Sequence, residues 1–170
     1  MRPFRANRVV PPPGDRWCPN GCYARQVPDA IDPLELERQV CFALSVAARS
    51  VVSLYRPLLE PIGLTHPQYL VMLALWQHAP LSVRRMSELL QLDPGTLSPL
   101  LKRLEAIGYV HRRRDPADER SLAVTLTDRG RELRAEAEKI PPAIVARLDM
   151  PMAELEALHA ALTRVIAAAR

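Results

Sequence analysis

Three cysteines give the chain its thiol chemistry, and their spacing limits what that chemistry can be. Cys18 and Cys22 form a C-x-x-x-C pair, but the two further ligands that a zinc site requires do not lie nearby. We therefore expect free thiols in an irregular tail, and no metal site. The odd number of cysteines argues against a secreted disulfide framework, and the first 20 residues lack the apolar core of a signal peptide. The expected location is the cytoplasm.

Cys41 differs from the other two because it falls within a predicted helix. A helical cysteine is commonly inert packing, since reactivity requires the thiolate form. The helix dipole fades beyond the first turn, so it cannot by itself stabilise a thiolate about three turns into the helix. Tyr55 lies on the same flank, but 14 residues further on and about 21 Å away. The two groups cannot touch within one straight helix, but they can meet if the first helices of two chains lie antiparallel in a dimer. Tyr55 as an interface or core aromatic is the alternative.

The composition is that of a globular domain and excludes several classes of protein. Of 170 residues, 48% are apolar and 25% are charged, and the net charge is +4. A folded chain of this length buries roughly two-thirds of its unfolded surface. No apolar run approaches the ~20 residues that span a bilayer. A membrane protein, a collagen and a disulfide-knit miniprotein are thus excluded, and the modest basic surplus permits nucleic acid as a partner.

A proline-rich tail precedes the ordered body. Residues 1–31 contain many prolines and few periodic apolar positions, which is typical of a flexible extension. The first helix is predicted to begin at Asp32-Pro33, with Asp32 as its cap and Glu35 completing a start like a capping box. Apolar residues then recur at helical spacing as far as Leu58, and Pro57 should kink or end this helix.

Three shorter helices follow. The second begins near Pro67 with Thr65 or His66 as its cap, and it is apolar on nearly every face, so we expect it at the centre of the body. Ser82 and Asp93 are the predicted caps of the third and fourth helices. The tight turn between these two helices predicts a helix-turn-helix.

After Gly108 the period changes from that of helices to that of strands. Residues 109–114 and 122–126 predict an antiparallel hairpin around a polar turn at 115–120. A helix-turn-helix followed by such a hairpin is a winged helix-turn-helix. The predicted fold is therefore mainly α with a small β-hairpin wing.

The fourth helix has the surface that a DNA-reading helix needs. Its leucines and Ile107 share one sector of the helical wheel, and small, hydroxyl and cationic side chains lie at its edge or face away. Hydroxyls bond base edges or phosphates, lysine suits phosphate, and arginine suits phosphate or guanine. The candidate DNA contacts are Thr96, Ser98, Pro99, Lys102 and Arg103. A solvated amphipathic helix is the alternative.

The hairpin adds arginines to this surface. Arg112, Arg113 and Arg114 lie on one strand, and Arg120 follows the turn. Arginine at a hairpin tip can enter a minor groove, where narrow A/T-rich stretches attract cations. Asp118 lies two residues before Arg120 and can hold its guanidinium in a bidentate pair. A basic strand alone can be plain surface charge, but the helix pair and hairpin together predict DNA binding, with Arg112 and Arg120 as contacts.

Two helical segments complete the chain. A long polar helix is predicted from Asp128 to about Ile140, where Pro141 and Pro142 interrupt it. A last helix follows Pro151 and carries aliphatic residues on one face.

Several of these motifs resemble the MarR family of winged-helix transcriptional regulators. They are Leu97-Ser98-Pro99-Leu100-Leu101-Lys102-Arg103-Leu104-Glu105, Gly108-Tyr109-Val110, Asp118-x-Arg120 and Leu126-Thr127. Three more segments are similar to the OhrR group of that family, repressors that sense organic hydroperoxides. They are Val40-Cys41-Phe42-Ala43-Leu44, Tyr55-Arg56-Pro57-Leu58-Leu59 and Pro67-Gln68-Tyr69-Leu70. The resemblance covers about residues 34–168.

The resemblance implies a homodimer whose first and last helices interlock. The body, 32–170, would then contain dimerisation helices at about 33–60 and 128–168 and a DNA-binding part at about 65–127. Two-fold symmetry of the protein implies a pseudo-palindromic operator on double-stranded DNA. The resemblance further implies a reactive Cys41, with Tyr55 of the other chain as thiolate partner, and repression that is released by oxidation.

One position departs from the OhrR pattern. That group commonly has a second tyrosine directly before the Pro-Gln-Tyr motif, where this chain has His66. A neutral imidazole can donate a hydrogen bond to a thiolate, and an imidazolium favours the thiolate more strongly. A plain helix cap is the equal alternative for His66. Tyr69 lines the same pocket or is simply a buried aromatic.

The predicted chemistry is stepwise thiol oxidation. The thiolate attacks the O–O bond and becomes a sulfenic acid, which condenses with another thiol to a disulfide. OhrR-like proteins with two working cysteines carry the second toward the C-terminus, but no cysteine follows Cys41 here. A low-molecular-weight thiol is therefore the expected second partner, with Cys18 or Cys22 as the alternative. No cofactor and no membrane partner is expected.

Three other functions stay open at this point. A MarR-type regulator can be released by a small phenolic or drug-like ligand, with Cys41 structural. A thiol peroxidase needs a recycling thiol and leaves the basic wing without a purpose. A protein-interaction module would retain no promoter DNA. We predict a repressor and not an enzyme, since the chain has no Gly-rich phosphate loop, H-E-x-x-H motif or Ser/His/Asp arrangement.

Overall fold

The computed structural model describes residues 32, 34–115 and 118–169, and the chain divides into the units 1–39 and 40–170. The predicted extension, 1–31, lies outside the described residues, as do Cys18 and Cys22. In the first unit the Leu34 amide donates to the Asp32 carboxylate at 2.9 Å, and a 3₁₀ turn covers Leu36–Arg38. Asp32 therefore caps a short turn and not the long helix that was predicted from this point.

Helix α1 (Val40–Leu59) begins later than predicted. Gln39 is extended, with φ −74° and ψ 119°, and so ends the preceding 3₁₀ turn. Pro57 lies inside α1, and the helix ends shortly after it, at Leu59, where a second 3₁₀ turn begins. Gly63 then turns the chain with φ 69°, in the left-handed region that favours glycine.

Helix α2 (His66–His78) forms the centre of the core, as its apolar faces predict. The Thr65 amide and hydroxyl both donate to Gln68 Oε1, at 2.8 and 2.9 Å. This capping box makes Thr65 the cap and His66 the first helical residue. The buried members of α2 are Gln68, Tyr69, Val71, Met72, Ala74 and Leu75.

Helices α3 (Val83–Leu90) and α4 (Pro94–Ala106) form the predicted helix-turn-helix. Ser82 Oγ accepts from the Arg85 amide at 3.1 Å, and the Asp93 carboxylate accepts from the Thr96 amide at 2.8 Å. Both predicted caps are therefore present. Gln91, with φ 54°, ends α3, and the buried face of α4 consists of Leu97, Leu101 and Leu104.

The sheet has three antiparallel strands in the order β1–β3–β2, namely β1 (Leu81–Ser82), β3 (Asp118–Leu126) and β2 (Val110–Asp115). The β2–β3 hairpin is the predicted wing, and it begins after Gly108, which has φ 81°. Strand β1 is too short to show a period and was not predicted. It joins the root of the helix-turn-helix to the wing, because Leu81 pairs with Val124.

Four helices follow the wing in the described residues, where two were predicted: α5 (Asp128–Glu132), α6 (Arg134–Ala137), α7 (Ile140–Leu148) and α8 (Met152–Ala168). Pro141 and Pro142 lie in the first turn of α7, where a missing N–H breaks no intrahelical hydrogen bond. They therefore start a helix and do not interrupt one. Helix α8 is the predicted last helix.

Apolar side chains remain exposed on the first and last helices. Those on α1 are Val40, Phe42, Val46 and Val52, and those on α8 are Met152, Leu158, Val165 and Ile166. The segment Val40–Ile62 is long and apolar enough to cross a membrane by length and composition, contrary to the expectation from the sequence. It contains Arg49 and Arg56, however, and it packs against α2 and α7. A fold that is mainly helical with a small antiparallel wing matches the predicted class.

Candidate functional site

Tyr55, His66 and Tyr69 pack together where α1 meets the start of α2. We call these three side chains the aromatic cluster. The Tyr55 ring centroid lies 4.8 Å from that of His66, in an edge-on contact, and 5.9 Å from that of Tyr69. His66 and Tyr69 are three residues apart on α2 and so lie on one face of the helix. The structure thus brings together two of the predicted redox residues and adds Tyr69.

Burial sets the protonation of the aromatic cluster. Burial raises the pKa of Tyr55. The pKa of Tyr69 is raised by two causes, of which burial is the larger and the charge of an ionised Tyr55 the smaller. Burial also lowers the pKa of His66, because the cation loses solvation. At neutral pH both phenols are therefore protonated donors and the imidazole is uncharged. Of the two forms of His66 that the sequence left open, the structure favours the neutral one.

Cys41 is the second residue of α1, and it is exposed in the single chain. The expectation that it lies three turns into a helix is wrong, because the helix starts only at Val40. In the first turn, free backbone amides and the helix dipole present positive charge to an anion. Tyr55 follows 14 residues later on the same helix, about 21 Å away. One chain alone does not bring the thiol to the aromatic cluster.

A cleft of about 660 Å³ opens beside the aromatic cluster. His66 forms part of its wall, Val52 and Leu64 provide apolar surface, and Arg49 and Arg56 border it. Its lining is mostly apolar, so it can admit an organic molecule as far as the His66 imidazole. Across residues 32, 34–115 and 118–169, no three His, Cys, Asp or Glu side chains are grouped to hold a metal ion.

The outward face of α4 carries the five candidate DNA contacts that the helical wheel selected. Its exposed side chains include Thr96, Ser98, Pro99, Lys102 and Arg103. The Thr96 hydroxyl donates to the Asp93 carboxylate at 2.5 Å, in addition to the bond from its amide. The hydroxyl proton is therefore used within the cap, and Thr96 presents acceptor lone pairs to a base or a phosphate-bound water. Lys102 and Arg103 present cations beside it.

Arg112 is braced against α4 by a carboxylate. Its Nε donates to Glu105 Oε2 at 2.7 Å, its amide donates to Glu105 Oε1 at 3.1 Å, and Nη2 lies 2.5 Å from Oε2. These bonds lower the pKa of the Glu105 carboxyl, and the bond from the Arg112 side chain has the largest effect. The structure thus assigns Arg112 a role in holding β2 to α4, which sequence reasoning missed. Direct contact of Arg112 with DNA stays a prediction.

The two strands of the wing extend further toward its tip than predicted. Strand β2 extends to Asp115 and β3 starts at Asp118, so the polar turn predicted at 115–120 is partly strand. The backbones of Asp118 and Arg120 lie in β3, while their side chains and the predicted ion pair between them are outside the described part of the structure. Arg113 is exposed on β2.

Two polar bonds tie the base of the wing to the region of the aromatic cluster. Trp76 Nε1, on α2, donates to the Gly130 carbonyl at 2.8 Å. The Tyr109 hydroxyl, at the start of the wing, donates to the Ile62 carbonyl at 3.0 Å. These partners are 54 and 47 residues apart, so no local sequence pattern reveals them.

This chain is similar in sequence to known transcriptional regulators. Residues 64–122 match the model of the MarR family. The chain is 42% identical over 131 residues to the organic hydroperoxide resistance transcriptional regulator of Bacillus subtilis, covering 77% of this chain and 89% of that protein. It is 46% identical over 127 residues to the transcriptional regulator TtmR of Methylorubrum extorquens, covering 75% of this chain and 65% of that protein.

Solved structures show the same fold. The structure of reduced AbfR bound to DNA is 37% identical to this chain, with a TM-score of 0.61, and the match covers 77% of this chain and 93% of AbfR. AbfR comes from Staphylococcus epidermidis and has also been solved in a disulfide-formed state. The winged-helix fold and the resemblance to the OhrR group are thus confirmed, and the chain belongs to the MarR family of winged-helix transcriptional regulators.

Proposed function

We propose that this chain is a homodimeric repressor that binds pseudo-palindromic operator DNA in the cytoplasm and releases it when an organic hydroperoxide oxidises Cys41. The observation that carries the proposal is the aromatic cluster. It gathers two protonated phenols and a neutral imidazole at a place that no cysteine of the same α1 reaches. A thiolate from a second chain would complete this set of donors. The similarity to a hydroperoxide resistance regulator supports the choice of oxidant.

The exposed apolar faces support the dimer. Val40, Phe42 and Val46 on α1 and Leu158 and Val165 on α8 are between 36% and 68% exposed in the single chain. So many large apolar side chains exposed on two helices favour an interface there. A partner that covers both helices would also explain how α1 stays soluble in spite of its hydropathy. We therefore place the interface on α1 and α8.

The dimer would bring Cys41 and Tyr55 together. If two α1 helices lie antiparallel, the N-terminal turn of one meets the C-terminal half of the other, and Cys41 of one chain faces Tyr55 of its partner. The thiolate then gains two kinds of stabilisation, from the amides of its own helix N-terminus and from the donors of the aromatic cluster. His66 takes the place of a second phenol in this arrangement.

The reaction would be a two-electron oxidation of sulfur. The Cys41 thiolate attacks the outer oxygen of ROOH, so that an S–O bond forms and the O–O bond breaks. The leaving RO⁻ takes a proton from the Tyr55 hydroxyl, which water restores, and departs as the alcohol. The sulfenic acid then condenses with a low-molecular-weight thiol, which forms an S–S bond and releases water. The mostly apolar cleft beside His66 gives an organic peroxide access to the sulfur.

The DNA contacts would come from α4 and the wing. Helix α4 enters the major groove with Ser98, Lys102 and Arg103 outward, and the wing arginines reach the neighbouring minor groove. In a symmetric dimer the two α4 helices lie one DNA turn apart, ~34 Å. Displacement of the Cys41 sulfur repacks the interface and moves the helices off this spacing, which releases the operator.

The test is an electrophoretic shift on the protein's own upstream DNA, before and after one equivalent of cumene hydroperoxide with a small thiol. Wild type should be retained when reduced and released when oxidised, with the thiol adduct found on Cys41 by mass. The matched control is the double variant Cys18→Ser/Cys22→Ser, which should behave as wild type and would fail to do so if the tail supplies the resolving thiol. Release of Cys41→Ser by the same treatment would overturn the proposal.

The same cleft favours a second candidate function, release by a non-covalent ligand with Cys41 structural. Its volume of about 660 Å³ and its apolar wall would fit a phenolic or drug-like compound. A ligand of this kind would release Cys41→Ser from the operator without any oxidant. Consumption of many equivalents of peroxide per chain would instead favour a peroxidase.

A further inference from the structure

Trp76 touches both the aromatic cluster and the base of the wing. It lies in the last turn of α2, half-buried, with its ring centroid 6.4 Å from that of Tyr69 in an edge-on contact. On its other side the indole N–H donates to the Gly130 carbonyl at 2.8 Å. Tyr69 in turn lies 5.9 Å from Tyr55. A continuous row of contacts thus runs from Tyr55 through Tyr69 and Trp76 to α5.

The turn that receives this bond is locked to both ends of the wing. The Thr127 hydroxyl accepts from the Gly130 amide at 2.9 Å and donates to the Gly108 carbonyl at 2.7 Å, and the Thr127 amide donates to the Tyr109 carbonyl at 3.1 Å. A Cβ on Gly130 would lie 2.0 Å from the Tyr109 carbonyl oxygen, so only glycine fits this approach. A shift of this turn must therefore move the strands on either side of it.

We propose that Trp76 is a positioning residue that couples the state of the aromatic cluster to the orientation of the wing. The inference rests on the proposed function, because it names the residue through which oxidation reaches the DNA-binding surface. When the sulfur facing Tyr55 is oxidised and leaves, the Tyr55 ring loses the group that it bonds to. Tyr69 is buried, with its ring centroid 5.9 Å from that of Tyr55, so in a close-packed interior it shifts with that ring. Its neighbour Trp76 carries the displacement to Gly130 through a hydrogen bond, which is directional.

Trp76 suits this role better than the second bridge does. The Tyr109 hydroxyl reaches the Ile62 carbonyl, which belongs to the turn between α1 and α2 and to none of the three cluster residues. It anchors the wing to the body in either redox state. Trp76 makes a ring contact with the cluster and a polar bond to the wing base with one rigid side chain.

The experiment measures coupling and not affinity alone. The operator dissociation constant is determined for wild type and for Trp76→Phe, each in the reduced state and after stoichiometric oxidation of Cys41. For each protein the constant of the oxidised state is divided by that of the reduced state, and the two ratios are compared. Phenylalanine keeps a ring beside Tyr69 but lacks the N–H donor. Allosteric couplings are typically 5–150-fold. We expect the ratio of Trp76→Phe to fall at least about fivefold below that of wild type. Trp17→Phe, which removes the other tryptophan, should leave it unchanged.

The outcomes separate the inference from the proposed function. If wild type keeps its operator after oxidation, the proposed function fails, and the coupling fails with it. If oxidation raises the dissociation constant of wild type and of Trp76→Phe by the same factor, the inference alone is overturned. This holds even if both constants of the variant differ from those of wild type. A merely structural tryptophan gives this last result.

A second measurement keeps the inference testable if Trp76→Phe does not fold. In the Trp17→Phe background Trp76 is the only indole, so its fluorescence reports on the bond to Gly130. We expect the emission to change on oxidation and to stay constant in the same background with Cys41→Ser. Operator release without any change in emission would overturn the inference.

Discussion

The DNA-binding surface and the aromatic cluster differ in how much of each a single chain contains. On α4 the caps, the buried leucines and the outward polar residues are all in place within one chain. The rings of Tyr55, His66 and Tyr69 also contact one another within one chain, but the thiol that they are proposed to serve lies at the far end of α1. A surface that binds an external partner can be built locally, whereas a switch that must move two subunits gains by being split between them.

The difference also shows in charge. The α4 surface exposes Lys102 and Arg103, and a phosphate backbone would attract these cations over a long range. The aromatic cluster is uncharged at neutral pH, because burial keeps its phenols protonated and its imidazole neutral. Neutral donors can stabilise an anion at short range without attracting the many anions in solution. We therefore expect DNA binding by the α4 surface to weaken with salt. We expect the stabilisation of an anion by the aromatic cluster to depend instead on its individual hydrogen-bond donors.

The largest expected effect comes from placing Cys41 and Tyr55 on different chains. In a mixed dimer of Cys41→Ser with Tyr55→Phe, the remaining Cys41 faces an intact Tyr55 if the site is shared between subunits. In a dimer of wild type with the double variant, the remaining Cys41 faces a phenylalanine ring from its partner and no phenol. A hydrogen bond to a charged group contributes about 1.5–3 kcal/mol, so the first dimer should react with cumene hydroperoxide roughly 10–150-fold faster.

The two mixed dimers contain the same substitutions, so each is the control of the other. Tagged subunits allow the heterodimers to be isolated, and stopped-flow thiol titration gives the rate at the single Cys41. Equal rates would show that Tyr55 does not contact the thiol in either arrangement. The reverse order would place the site within one chain, against the 14-residue separation along α1.

The next effect tests the other side of the comparison, the wing. Arg120→Ala removes the arginine that is predicted to enter the minor groove, and we expect operator binding to weaken by about 1–3 kcal/mol with a salt slope that is smaller by about one. Lys139→Ala is the matched control, since it removes a surface cation that is already paired with Glu136 at 2.7 Å. Equal retention of the Arg120 variant and wild type would contradict the wing assignment.

Much of the fold follows from local patterns in the sequence. The caps at Ser82 and Asp93, the turn at Gly108 and the apolar sector of α4 each depend on a few neighbouring residues, and the structure contains all of them. The first helix was misplaced because Asp32 and Glu35 satisfy the pattern of a helix start, while an extended Gln39 separates them from α1. A capping motif fixes one turn and does not guarantee that the helix continues.

The site was less accessible from sequence for a different reason. Arg112 was assigned to DNA on its charge, yet its guanidinium bonds to Glu105, which sits seven residues earlier on another element. No sequence pattern marks the role of Trp76, because its partner is the backbone carbonyl of Gly130, which has no signature in sequence. The redox roles proposed for Cys41, Tyr55 and His66 depend on the resemblance, since no spacing rule predicts whether a thiol meets a phenol of another chain.

A smaller effect is expected from the brace between α4 and the wing. Glu105→Gln keeps the shape of the side chain but loses the charge that binds Arg112, and a well-formed pair at a partly exposed position contributes about 1 kcal/mol at most. Operator affinity should fall up to about fivefold, because the wing loses a fixed distance to α4. The control is Glu138→Gln, which breaks an exposed pair with Arg134 on α6. Loss of affinity in both variants alike would show a general charge effect and not a brace.

The smallest effect is the dependence of folding on the protonation of His66. Burial lowers the pKa of His66 in the folded chain, while in the unfolded chain it stays near 6.5. As the pH falls through about 6.5 the unfolded state takes up a proton that the folded state does not, so acid lowers the free energy of unfolding. Urea unfolding at pH 7.5 and 5.5, at fixed protein concentration, should show a smaller loss for His66→Gln than for wild type. A His66→Gln variant with an undiminished loss would mean that burial does not lower the pKa of His66, and the aromatic cluster would then become cationic in mild acid.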